Sequence, residues 1–544
     1  MKYIISIIAV AYLLVGSQNA TAQEVSATWS DDIKLPSGHY LDEPLGLQGD
    51  NLYLQSTKMV YYSGFFPYIG LFNAKSMKLG EMKQMSAEKG KTRIIGTVFN
   101  NKGKWGVFQN FDNGTRYNII KTFPLDENGQ PEKSKVAILA AFRESKGTTI
   151  FGSEVLLITS KDSSHNAVVM HADRKDKDNE LLYIVTCDKS MNMVWKQVIE
   201  LPYSNKRFSE DDIEVLNSGK IVLSGKLYDE QKAKERKSKT TAAYKYVLRI
   251  YDGKDTDGKE FVMDLGGKFV VNTILATHPK TGNTVFAGMY SDVSIYNAAY
   301  NSSFQNSDYP DTRGGAINGL FYLELDNDGK IANNYTYAIN ASAIPNISKG
   351  LFEKRQNGID PNLKIQRICF RNNGGAVFVT EPRYRVEHSY TDSKGRTTTY
   401  YTYHTLDNVL FAMKEDGTNE WTTCVPKILT GRNSSVVGST CIFNNDNVYL
   451  VYNDSEKNLL KKPDGKPDAF DSFDKGMILM AKINGKGELV RKAITSRKEL
   501  GGYLYSPKSS RTLSEDELIF VGRKSSLFGG QKYKIGRIKL NFKK

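Results

Sequence analysis

The sequence predicts an all-β chain built from repeats. Three observations carry that expectation: short segments in which apolar and polar residues alternate, Asp-Gly and Asn-Gly turn signals between them, and a regular recurrence of this pairing along the chain. Alternation with period two puts every second side chain on one face of a sheet. Tight hairpins need positive φ at their central residues, which Gly, Asn and Asp reach at the lowest cost.

The first repeated element is a strand, a tight turn and a second strand. It is clearest at 246–253, 320–329, 409–417 and 480–485, with weaker copies at 69–79, 123–129 and 183–192. A second hairpin, with alternating apolar residues in its descending strand, follows at 216–225, 277–288, 370–379, 443–451 and 513–522, and also at 99–108. Two hairpins per repeat make a four-stranded antiparallel unit. Starts near Tyr68, Tyr117, Leu182, Tyr246, Leu320, Val409 and Ile478 give about seven complete units. One strand at 533–540 then opens an eighth, while the N-terminal region offers only late-unit strands at 29–35, 44–47 and 51–55, so the two ends complete each other.

In these repeats the chain resembles the β-propeller superfamily, although the turn motifs are generic and point to no particular family within it. The resemblance implies a single β-propeller over 23–544, with about eight four-stranded blades (seven being the alternative count). Pairing of the N- and C-terminal strands would close the ring and leave no blade incomplete. Tandem β-sandwiches are the rival architecture.

Successive turns of an antiparallel unit alternate between its two ends, so the tight turns share one rim and the other connections lie opposite. The insertions at 229–245, 293–319, 341–364, 386–408 and 454–476 all fall among the latter. Loops on a rigid β scaffold carry binding function, and Tyr and Arg supply much of the energy at interface centres. The candidate binding residues are therefore Tyr296, Tyr300, Phe304, Tyr309 and Arg313 in one insertion. Tyr384, Tyr390, Arg396, Tyr400, Tyr401 and Tyr403 are those of another. Alternating Thr and Tyr around Asp392-Ser393-Lys394-Gly395 predicts a protruding hairpin, whose tyrosines either face a partner or pack on a neighbouring blade. Lys232, Lys234, Arg236, Lys237 and Lys239 form a charge run that either touches anions or is merely solvated.

Lys2, the apolar run 3–15 and Ala20-Thr21-Ala22 have the layout of a signal peptide cleaved near Ala22. This predicts a periplasmic or secreted protein. No cysteine follows the cleavage point, so no lipid anchor is expected, and no later apolar run is long enough to span a membrane. The net charge of +14 favours acidic surfaces, glycans or proteins, or serves only solubility. Cys187, Cys369, Cys424 and Cys441 read as small core residues rather than bridges.

The chemistry-bearing signals are weak. Six histidines show no close ligand spacing, and P-loop, Gly-x-Ser-x-Gly and dinucleotide motifs are missing. Asp255-x-Asp257-Gly258 and Asp326-x-Asp328-Gly329 read as turns rather than calcium loops, for they lack the closing glutamate. Among carboxylates of the elaborated rim, Asp308, Asp311, Glu381 and Glu387, nothing singles out a glycosidase pair. The expectation is a monomeric binding or scaffold protein of the bacterial cell envelope with a protein partner, without catalytic residues, metal, cofactor or nucleic acid. The alternative is a glycan-binding or glycan-active protein using the same rim.

Overall fold

The computed structural model describes residues 25–540 apart from short segments, of which 230–240 and 298–311 are the longest. Eight four-stranded antiparallel blades make up the propeller. Blade 1 runs through His39–Gln48, Asn51–Val60, Gly64–Asn73 and Lys78–Gln84. Blade 2 extends from Thr92–Asn100 to Ala137–Arg143, blade 3 from Val155–Thr159 to Met193–Ser204, and blade 4 from Phe208–Val215 to Lys259–Met263. Blade 5 extends from Phe269–Thr277 to Ile331–Ala338, blade 6 from Leu363–Phe370 to Asn419–Val425, and blade 7 from Ser439–Asn444 to Leu489–Ser496. Blade 8 combines Leu504–Ser514, Glu517–Ser525 and Gln531–Leu540 with the N-terminal strand Val25–Trp29.

The terminal strands pair as expected, in a register from Val25↔Leu540 to Trp29↔Gly536, but the shared blade takes three strands from the C-terminal end and one from the N-terminal end rather than the reverse, and the expected strands at 44–47 and 51–55 lie in blade 1. The closing strand lies earlier than the expected 29–35, and beyond it Ser30 exchanges hydrogen bonds with Ile535 and Ile33 bridges to Tyr533. The reason is the inward row of Val25, Ala27 and Trp29, which packs on the blade 7–8 core, with the Trp29 ring 4.9 Å from Phe520.

The core is divided into layers between blades, and each junction has its own buried apolar cluster. Leu52, Leu54 and Phe72 of blade 1 meet Ile519, Val521 and Ile535 of blade 8, so the first and last blades are joined in the same way as any neighbouring pair. Burial of this kind contributes roughly 25 cal/mol per Å².

A second recurring contact latches the tight-turn rim. The turn glycines Gly253, Gly329, Gly417 and Gly487 all have φ between +79° and +84°. A Cβ on any of them would collide with an aromatic ring of the preceding blade's last strand: Trp195, Phe261, Tyr335 and Trp421 respectively. The two indoles also donate across the junction, Trp195 Nε1 to the Gly219 carbonyl at 3.1 Å and Trp421 Nε1 to the Gly485 carbonyl at 3.0 Å. Glycine is thus required twice over, by backbone sign and by the ring seated on it. Gly417→Ala should lower stability by about 2–3 kcal/mol in urea unfolding. A change below about 0.5 kcal/mol, the range of an ordinary surface substitution, would mean that the ring is not a latch.

The aspartates of the two calcium-like sequences cap their own turns. Asp255 Oδ1 accepts the Gly258 amide at 2.7 Å, and Asp326 Oδ1 accepts the amides of Asp328 and Lys330 at 2.9 and 2.8 Å. All four cysteines are unbridged, three buried and Cys441 half-buried. Among the described residues no helix is long and apolar enough to cross a membrane.

Candidate functional site

Each long connection joins the second to the third strand of a blade, or one blade to the next. This places all five on the rim opposite the tight turns. The most built of them belongs to blade 6. Its second strand, Ala376–Thr391, runs past the end of the blade and pairs with Thr397–Thr405 from Arg383↔Thr405 to Thr391↔Thr397, forming the expected protruding hairpin. At its tip Asp392 Oδ1 accepts the Lys394 and Arg396 amides, both at 2.9 Å, and Gly395 supplies φ +74°. The returning strand also pairs with Ile428–Gly431, which pairs in parallel with Ala469–Phe470, so the hairpin stands on a side sheet of its own.

Register sorts the predicted residues onto two faces. On one, Tyr384 stacks on His404 with ring planes 4° apart, and Tyr400 stacks on His388, both pairs at 4.9 Å. The Thr402 hydroxyl links the two imidazoles at 2.9 and 2.8 Å, and the Arg432 guanidinium lies 4.7 Å from the Tyr400 ring. Burial, with His388 nearby, lowers the His404 pKa. Tyr390 shares this face near the tip and is 64% exposed. On the other face Arg385 lies 4.9 Å from the Tyr401 ring, whose hydroxyl pairs with Glu387. Tyr403 packs against Leu429, Val436, Val437, Phe470 and Leu504 and anchors the base of the hairpin.

Tyr296 and Arg313 face each other across the short pairing of Tyr296–Asn297 with Thr312–Arg313; nothing is described of their side chains. Tyr300, Phe304, Tyr309, Asp308 and Asp311 lie outside the described residues, as do the 232–239 charge run and residues 1–24, where the sequence predicts a signal peptide. His388, His404 and Arg432, which complete the aromatic face, carry no signal in the sequence, because only pairing register brings them onto it.

Under the hairpin lies a fully buried ion pair. Lys427 Nζ donates to Glu381 Oε1 at 2.5 Å, and both side chains are wholly enclosed. Glu381 also accepts from Ser439 Oγ at 2.9 Å, Arg383 Nε at 2.7 Å and Gln366 Nε2 at 2.6 Å. Burial alone would raise the Glu381 carboxyl; the Lys427 and Arg383 charges outweigh it and hold the group below the ordinary glutamate value. Among the rim carboxylates, Glu381 is thus a sealed structural anion.

A second polar cluster lies at the junction of blades 3 and 4, toward the same rim. His171 Nδ1 is 2.6 Å from Glu180 Oε1, and His171 Nε2 is 3.8 Å from Glu210 Oε1. Burial pushes the Glu210 carboxyl up to about 7, opposed by His171 and reinforced by Glu180 and Glu154. Burial would lower His171, but its hydrogen bond to Glu180 and the charges of Glu210 and Glu154 raise it. The three side chains offer ligand atoms within 4.8 Å of one another, a geometry that could hold a metal ion. Histidine spacing along the chain predicts no metal; here one histidine meets carboxylates from two other strands.

These features define an eight-bladed β-propeller with one elaborated rim. No family model and no curated relative matches the chain. Among solved structures it is similar to a protein of unknown function from Dyadobacter fermentans, at 9% identity over 73% of this chain and 100% of the other, with a TM-score of 0.30. The propeller domain of the trilobed protease from Pyrococcus furiosus matches at 13% identity, 84% and 98% coverage and TM-score 0.33. The polysaccharide lyase Uly1 matches at 8% identity, 92% and 90% coverage and TM-score 0.39. Likeness at this level says nothing of substrate or partner.

Proposed function

We propose that the protein is a non-enzymatic binding or scaffold protein of the bacterial cell envelope that engages a partner protein through the hairpin-bearing rim. The observation that carries this reading is the division of labour within the hairpin. Its base is fixed by Tyr403 and the enclosed Lys427–Glu381 pair, while its tip presents Tyr390 and Arg396 to solvent, the Arg396 side chain 75% exposed. A rigid stem ending in an exposed aromatic and an exposed cation loses little conformational entropy on binding and suits interface centres. The N-terminal sequence pattern supports placement in the envelope.

The test is crosslinking in intact envelopes with wild-type protein and with the double variant Tyr390→Ala/Arg396→Ala. The variant should unfold within about 0.5 kcal/mol of wild type, since both side chains are exposed. Wild type should capture a protein that the variant does not. Identical crosslinks from both proteins would overturn the reading. Weakened binding of the variant to purified envelope polysaccharide instead would assign the same tip to a glycan.

A further inference from the structure

We propose that His171 and Glu210, with Glu180 behind the imidazole, form a binding site for a divalent transition-metal cation of the zinc class at the junction of blades 3 and 4. His171 lies on the strand His165–Arg174 and Glu180 on Asn179–Asp188, both in blade 3, whereas Glu210 lies on Phe208–Val215 of blade 4. They continue toward the rim the layer that Ala167, Val169, Leu182, Ile184 and Phe208 fill with apolar contacts. At its end this layer turns from hydrocarbon to imidazole and carboxylate.

The hydrogen bond of Nδ1 fixes what Nε2 can do. Glu180 holds Nδ1 at 2.6 Å, so the neutral imidazole that keeps its proton on Nδ1 turns its Nε2 lone pair toward Glu210. His171 Nε2 and Glu210 Oε2 are both sealed from solvent and have no hydrogen-bond partner among the described residues. Two electron-pair donors therefore face each other. A proton on Nε2 would give a charge pair without a hydrogen bond, since 3.8 Å to Glu210 Oε1 exceeds hydrogen-bonding distance, and Glu210 Oε2 would still have no partner among the described residues.

A cation between them does resolve it. Zinc bonds of about 2.0–2.2 Å to nitrogen and oxygen set two tetrahedral ligands about 3.4 Å apart, a closure of only a few tenths of an ångström. Glu180 then plays the part of the carboxylate that orients a metal-bound histidine. Glu154 adds its negative charge to the same place. The nitrogen donor favours a transition metal over calcium, and the lack of thiolate favours zinc over softer ions.

The test titrates chelator-treated full-length mature protein with zinc chloride by calorimetry, with calcium chloride as the comparison. One equivalent of zinc should bind and raise the melting temperature, while calcium should do neither. His171→Gln and Glu210→Gln should each weaken zinc at least about tenfold, and Glu180→Gln about 10- to 100-fold. No saturable zinc binding, or variants that bind as wild type does, would overturn the site. Should a variant fail to fold, zinc-edge anomalous diffraction from wild-type crystals decides: a peak bonded to His171 Nε2 and Glu210 supports the site, and a peak elsewhere or none refutes it.

Discussion

Lys427→Met should cost about 3–5 kcal/mol of unfolding free energy at pH 7, the largest effect expected of any single substitution on the elaborated rim. The ammonium is wholly enclosed, and removing it leaves the Glu381 carboxylate buried with only Arg383 as a charged partner. Glu381→Gln should cost a similar amount by the converse route, stranding the lysine. The two effects should not add, because both variants break the same ion pair. The pair also has a predictable acid limit. With its folded pKa depressed, Glu381 contributes stability that is fully present above its unfolded value and lost as pH falls through its folded one. Denaturant unfolding from pH 7 down to pH 3 should therefore show wild type and Lys427→Met converging in acid. A constant gap across that range would show that the lysine acts by packing alone.

The second large effect is expected from removing residues 25–29. Gln531–Leu540 would then become an open edge, with its inward side chains uncovered on one side and the Phe520 ring deprived of the Trp29 indole that packs on it. Removing the partly buried Trp29 side chain alone should cost on the order of 2 kcal/mol, before the backbone pairs are considered. An unpaired edge also offers a template to other chains. The shortened protein should unfold at lower denaturant and form concentration-dependent oligomers in light scattering. A monomer with unaltered stability would show that the strand is dispensable to the ring.

The ring is legible in the sequence because its turns announce themselves. Gly253, Gly329 and Gly417 sit where φ must be positive, and Asn445 and Asp446 adopt φ of 47° and 60° in a tight turn of blade 7. The aromatic residues seated on those glycines are not legible, since each ring and its glycine belong to different blades. The hairpin can be read as a protrusion, yet its stacked histidines cannot, because strand register decides which rings meet. Lys427 and Glu381 are 46 residues apart, and His171, Glu180 and Glu210 come from three strands across a blade junction. Sequence patterning reports local geometry faithfully, whereas these sites arise from the packing of units that are each locally ordinary.

The shared last blade also sets an order of events. Val25–Trp29 precedes its hydrogen-bonding partner by roughly 500 residues, and the entropy of bringing such distant segments together must be met when the ring closes. The intervening blades can stack as they appear, but the circle cannot shut until Gln531–Leu540 is present. Until then the leading strand travels without its mate.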